Sequence, residues 1–264
     1  MINANNHKVA KARLVGAITF LLIMVITSTI FFYVQGKSSK TGSTRDGTAS
    51  PTVRKATPTP TPTTLSTPQP LFFDDFTDKS KGWYLGSTSG YTRVIDNDSL
   101  ILADSNHTIL TESLPTSTPF NDFIVTVTYT LLQANQDDSV GLYLRGDSNL
   151  DHDYRIDIYG NNTYAISKEF LDASKSPQVQ FLVSPTGATT LHPAGQSNTI
   201  MVMMKGPKLV LLVNGTMVSS ITDTDYTSGQ IALFVKNSET SSEVEASFSS
   251  VVVYPAPNPF HSTG

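Results

Sequence analysis

"VGLYLRGDSNLDHDYRIDIYG", Val140 to Gly160, is two runs of alternating side chains joined by a polar turn. In the first run Val140, Leu142 and Leu144 fall on one side, with Tyr143 and Arg145 on the other. In the second, Tyr154, Ile156 and Ile158 oppose Arg155, Asp157 and Tyr159. A period of two is the pleat of a β-strand. The stretch between the runs, rich in Asp and Asn, favours a turn because those side chains bond their own backbone. The segment predicts a pair of strands with one face in a core.

The same pattern extends along the chain. "FIVTVTYTLL" places Phe123, Val125, Val127, Tyr129 and Leu131 on one face and Thr126, Thr128 and Thr130 on the other. Further strands read at 91–96, 99–104, 162–169, 178–183, 198–205, 208–213, 216–221, 230–236 and 244–254. Asn214-Gly215 between two of them is a strong hairpin signal, since a type I′ turn needs positive φ at both central residues. Many short strands separated by turns, with no helical stripe, predict an all-β, two-sheet antiparallel sandwich or barrel filling residues 71–264.

The N-terminal quarter is of another kind. Leu14 to Val34 holds 21 residues without a charge, enough to span the roughly 30 Å of a bilayer as a helix. A buried core helix would show polar positions at a helical period, and here only Thr and Ser interrupt the run. A cleaved signal peptide is the competing reading, but its apolar region usually has roughly 7–15 residues. The run therefore predicts an uncleaved transmembrane helix at 14–34 after a cytoplasmic tail, 1–13. Basic residues flank both sides, Lys8, Lys11 and Arg13 before and Lys37, Lys40 and Arg45 after. The closer N-side charges and the short tail favour an N-terminus inside and a long C-terminal part outside. Residues 35–70 are mostly Ser, Thr, Pro and Gly. They cannot bury enough surface to offset their ordering entropy, so they read as a disordered, extended stalk.

Charge and composition exclude several classes. Residues 1–56 carry +7 and residues 57–264 carry −11. An acidic globular part lacks the basic footprint that nucleic acid requires. With no cysteine there are no disulfides, thiolate zinc sites or thiol nucleophiles. His7, His107, His152, His192 and His261 show no metal-ligand spacing, so no metal site is assigned.

Several stretches together resemble the concanavalin A-like lectin/glucanase jelly rolls, a superfamily with laminin G-like domains and the domain named for 3-keto-disaccharide hydrolases. "FFDDFTDKSKGW", 72–83, looks like the family's opening strand and following Trp. The 140–160 segment looks like its paired central strands, and "NTIMVMMKGPKLVLLVNG" with "SGQIALFV" like its hairpin and the strand after it. "ASFSSVVVY" sits at the family's closing strand, with Ser249 and Ser250 in place of an acidic-amide pair. The resemblance implies a jelly-roll domain over about 71–254. It also implies the range of roles that fold hosts: hydrolase, lectin and structural module. It allows a structural calcium ion at a sheet edge, with no ligands assigned and no other cofactor. The anchor-stalk-domain layout resembles bacterial surface proteins, some of which carry the module on membrane sensors.

No catalytic residue stands out. Jelly-roll glucanases carry Glu-x-Asp-x-x-Glu on one strand, and that pattern is absent, as is a G-x-S-x-G elbow. Glu243 and Glu245 read as a solvated strand edge. Asp147, Asn149, Asp151 and Asp153 begin like an EF-hand loop, but His152 and Ile158 stand where it needs Gly and Glu, so they read as a turn. Asp74, Asp75 and Asp78 form a second acidic cluster of the same kind. The candidate ligand face is Tyr143, Arg145, Arg155, Asp157 and Tyr159, which share outward parity and combine sugar-stacking rings with hydrogen-bonding charges. Trp83 and Tyr84 are candidates to extend that face, but a lone Trp near a domain start reads rather as core. On this reading, Tyr143→Ala with Arg155→Ala removes binding and leaves the melting temperature nearly unchanged. The leading expectation is a single-pass membrane protein whose extracytoplasmic, non-catalytic domain binds glycan or another surface polymer. The alternatives are a sensory or scaffolding module without a sugar ligand, and a glycoside-acting hydrolase.

Overall fold

A computed structural model describes residues 68–257. The expected transmembrane helix at 14–34 and most of the stalk lie outside them. Among the described residues no helix is long and apolar enough to cross a membrane.

Fifteen strands follow in chain order: β1 (Phe72–Asp74), β2 (Gly86–Ser87), β3 (Tyr91–Asp96), β4 (Ser99–Asp104), β5 (Ile109–Ser113), β6 (Phe123–Gln133), β7 (Ser139–Gly146), β8 (Asp153–Tyr159), β9 (Thr163–Leu171), β10 (Pro177–Gly187), β11 (Ser197–Lys205), β12 (Lys208–Val213), β13 (Thr216–Thr222), β14 (Gln230–Lys236) and β15 (Val244–Pro255). They form two antiparallel sheets. The larger runs β13-β12-β11-β6-β15-β4-β3-β2, with β1 paired to β15; the smaller runs β10-β9-β8-β7-β14-β5. The architecture is a jelly-roll sandwich.

The alternating residues fill the space between the sheets as the pleat requires. Phe123, Val125, Val127 and Tyr129 come from β6, and Val140, Leu142, Leu144, Ile156 and Ile158 from β7 and β8, all buried in one core. Each such side chain stabilises the fold by roughly 1.5–3 kcal/mol relative to exposure. Asn214 and Gly215 both have positive φ, 48° and 82°, and close the hairpin of β12 and β13.

Three features depart from the sequence reading. The closing strand β15 is central, paired on one side to β6 and on the other to β4, so Glu245 is not on a sheet edge. Strand β5 has little apolar content and carries no clear pattern. Its Glu112 faces inward, 4% exposed, accepting the Tyr84 backbone N–H at 2.6 Å and lying 3.4 Å from Arg93 Nε. Burial raises that carboxyl above its ordinary range. Finally, β7 is buried on both faces and β8 nearly so. Alternation assigned the correct sides except at Arg145, but the outward side is not solvated.

Candidate functional site

The outer face of the smaller sheet carries the candidate site. Register places Tyr143 opposite Arg155, Gly141 opposite Asp157 and Ser139 opposite Tyr159. On the next strand Arg155 faces Ser167 and Asp153 faces Glu169. Opposite residues of an antiparallel pair project to the same face. The face is thus continuous across three strands.

Its floor is aromatic. Tyr143 packs on Phe234 with ring centroids 5.1 Å apart and an interplanar angle of 54°. The Arg155 guanidinium carbon lies 6.0 Å from the Tyr143 ring and 5.8 Å from that of Phe234. Phe234 is opposite Gly141, where an added Cβ would lie 1.8 Å from the Ile156 carbonyl oxygen and 2.9 Å from the Phe234 ring. Glycine therefore permits both the strand spacing and the ring's position.

The polar groups answer one another. Arg155 Nε donates to Asp157 Oδ2 at 2.8 Å, and Nη1 bonds and ion-pairs with Glu169. Asp157 Oδ1 also accepts from Ser139 Oγ at 2.8 Å. Burial opposes the charge of Arg155, but Asp157 and Glu169 outweigh it and hold the guanidinium protonated. Burial raises the Glu169 carboxyl, and Arg155 opposes the rise. Tyr159 is pushed up to about 12, by burial and then by the charge of Asp157.

Asp153 is the exception. It is fully buried, and neither carboxylate oxygen has a hydrogen-bond partner. Its pKa is pushed up to about 8, first by burial and then by Glu169. Ser167 Oγ, on the same face, is also buried without a partner. Buried polar atoms are nearly always paired, and three of the unpaired ones fall on this face, which makes it the candidate site.

Of the five residues the sequence singled out, Tyr143, Arg155 and Asp157 meet here, all buried, and Tyr159 ends the same row half-buried. Arg145 does not join them. Gln230 pairs with Gly146 and Ile231 with Leu144, so Arg145 is the extra residue of a bulge, with φ 54°. Its guanidinium turns to the carbonyls of Asn121, Gly206 and Tyr226, at 2.7, 2.8 and 2.9 Å. It ties connecting segments together and is structural.

Sequence reasoning missed Ser167, Glu169 and Phe234, and assigned Asp153 to a turn where the structure buries it in β8. Alternation along β9 would have put Ser167 and Glu169 opposite the core residues Tyr164 and Ile166. "QIALFVK" is apolar on both sides and gives no parity for Phe234.

The acidic clusters are turns except at Asp153 and Asp74, which lie buried in β8 and β1. Asp147 Oδ1 accepts the backbone N–H groups of Asn149 and Asp151, and Oδ2 lies 3.1 Å from His152 Nδ1. Asp75 and Asp78 cap Thr77 and Ser80, while Asp74 accepts the Trp83 indole N–H at 2.6 Å inside the core. Tyr84 is exposed and packs on Arg93, apart from the row. Among the described residues no cluster of His, Cys, Asp and Glu is arranged to hold a metal ion.

Comparisons with known proteins agree with the fold. A Bacillus subtilis protein of unknown function with a galectin-like fold is 15% identical, covers 72% of this chain and 97% of its own, and superposes with a TM-score of 0.53. Two structures of glycoside hydrolase family 16 from Bacteroides ovatus are each 11% identical. Both cover 69% of this chain and 99% of their own, with TM-scores of 0.52 and 0.51. Such identities speak to the fold alone. No curated protein matches the chain. Residues 68–251 match the family described as the 3-keto-alpha-glucoside-1,2-lyase-like domain. That span is most of the sandwich and most of the chain, and the chain belongs to that family.

Proposed function

We propose that this is a membrane-anchored, extracytoplasmic domain that binds glycan on the outer face of its smaller sheet, without catalysing a reaction. One observation carries the reading. Arg155 lies over two rings packed at a tilt and between two acids, beside buried polar atoms of Asp153 and Ser167 that no protein group satisfies. Rings offer the apolar faces of sugars a floor, and unpaired polar atoms offer their hydroxyls partners. The test is a glycan array probed with the purified 71–264 fragment, with and without calcium. Binding to a defined glycan class, lost in Asp153→Ala, supports the reading. A folded fragment that binds nothing overturns it.

The anchor and stalk rest on the sequence of residues 14–70 alone. Protease added to intact cells should release a soluble fragment by cutting within 37–70. A domain protected until lysis refutes the orientation.

A second reading, chemistry on a glycoside at the same face, is favoured by the opposition of Asp153 and Glu169. One carboxyl is kept protonated near neutral pH, and the other is bonded to Arg155. Two acids in different environments are what acid–base work needs. Release of product from 3-keto-glucosides, followed by mass spectrometry and lost in Asp153→Asn, would replace the binding reading with this one.

A further inference from the structure

The turn between β7 and β8, residues 147–152, does not stand clear of the sheet. Leu150 packs against the cluster of Tyr143, Ala232 and Phe234. It does so with φ 56°, a left-handed conformation that a side-chain-bearing residue adopts at a cost. It sits over a glycine: a Cβ added at Gly146 would lie 2.6 Å from Leu150 Cδ2 and 3.5 Å from the Asp153 Cβ. Leucine and buried carboxyl thus share one corner of the outer face.

Around Asp153 the chain supplies charge and no hydrogen bond. Glu169 stands opposite, Arg155 is bonded to Asp157 and Glu169, and Asp147 and Asp151 add negative charge from the turn. The turn itself is internally braced. Asp147 N–H donates to the His152 carbonyl at 3.2 Å, and its side chain caps Asn149 and Asp151. Asp147, Ser148 and Asn149 are exposed. The turn is also tied to its surroundings, by Gln230 Nε2 donating to the Asp147 carbonyl and by His152 lying edge-on to Tyr226 at 6.3 Å, so uncovering the sheet here needs movement of the Leu150 side chain and not of the whole turn.

We propose that Leu150 is a latch over a subsite of this face. A hydroxyl-bearing sugar ring displaces it, taking Tyr143 and Phe234 as floor and Asp153 and Ser167 as hydrogen-bond partners. The inference rests on the glycan reading of the face, and it adds the subsite's partners and the residue that competes with the ligand. Leu150 covers what the ring would cover, which keeps the apolar floor from water while no ligand is bound.

Two substitutions open the latch by different routes. Leu150→Ala removes the cover. Gly146→Ala leaves Leu150 in place and pushes its methyl aside, since that methyl is the end of a flexible side chain. The readout is coupling of carboxyls in the full chain by a water-soluble carbodiimide and glycinamide, followed by peptide mass spectrometry. Asp153 should couple at least about tenfold faster in both variants than in the parent. Asp157, equally buried but bonded to Ser139 and Arg155, is the control and should not change. Asp153 unchanged in both variants, or Asp157 rising in step with it, overturns the latch.

The second arm titrates cellobiose, sucrose and trehalose. A sugar that binds the parent should bind Leu150→Ala at least about threefold tighter. Faster coupling with no sugar bound by any of the proteins shows that Leu150 covers Asp153 and overturns the sugar subsite. Sugar binding with unchanged coupling overturns the latch and leaves the glycan reading standing.

Discussion

Asp153 and Glu169 stand directly opposite each other on neighbouring strands, and the guanidinium of Arg155 goes to Glu169 and Asp157, leaving both oxygens of Asp153 without a partner. The consequence is a carboxyl pushed up to about 8, by burial and then by the charge of Glu169. In an unfolded chain the same group titrates near about 3.9. Between those values the folded state holds a proton that the unfolded state has released. Stability therefore falls as pH rises from about 4 to about 8, because the unfolded state binds fewer protons there.

Asp153→Asn removes that proton from the balance. The parent should lose stability across the window by an amount on the order of a few kcal/mol, with buried Glu169 and Glu112 adding in the same direction. The variant should lose clearly less. Urea unfolding at pH 5 and pH 8 measures both. Parent and variant with parallel pH profiles would show that Asp153 is ionised in the fold at neutral pH.

Arg155→Met should be strongly destabilising. The guanidinium is the shared partner of Asp157, fully buried, and of Glu169, largely so. Removing it strands two acids inside the protein, and breaking a buried pair typically costs about 3–5 kcal/mol. This reverses the expectation, drawn from exposed alternation, that losing Arg155 leaves the melting temperature nearly unchanged. A drop of less than about 3 °C on thermal melting would favour the solvated face.

Gly141→Ala tests the floor from beneath. The new methyl would meet the Ile156 carbonyl oxygen at 1.8 Å, a backbone atom of the neighbouring strand that cannot turn away. Either the β7–β8 pairing opens or Phe234 shifts. A loss of at least about 2 kcal/mol is expected from such overpacking. A variant as stable as the parent, with an unchanged near-ultraviolet circular dichroism spectrum, refutes the close approach.

Most of the sandwich could be read from the chain because its inner faces alternate. Val140, Leu142 and Leu144 against Ile156 and Ile158 announce both strands and both sides. The site was half legible for a physical reason. Alternation reports which side a residue takes, and it does not report what lies on that side. Tyr143, Arg155 and Asp157 took the expected side, but Phe234 packs beside them from β14, Glu169 pairs with them from β9 and Leu150 packs on them from a turn. These contacts are non-local and leave no trace in a two-residue period. Arg145 was lost to a bulge, since one extra residue on β7 shifts its partnering on β14.

That bulge supplies the last prediction, Arg145→Lys. The Arg145 side chain is 1% exposed, and its nearest acid, Asp122, lies 3.4 Å away and is itself 42% exposed. Its work is done instead by five donors in a rigid fork, which reach the carbonyls of Asn121, Gly206 and Tyr226. Burial already pulls its pKa down, so a less well-satisfied cation at this position is costly. Lysine keeps the charge and loses the fork. It can meet one or two of the three carbonyls, and each buried acceptor left over costs about 1–3 kcal/mol. Arg145→Lys should therefore lower stability by roughly 2–4 kcal/mol in urea, with faster hydrogen exchange at residues 121, 206 and 226. Ligand binding at the outer face should be unchanged wherever the variant is folded. Loss of glycan binding in a folded Arg145→Lys protein would return this residue to the site; full stability would show that the three carbonyls do not need it.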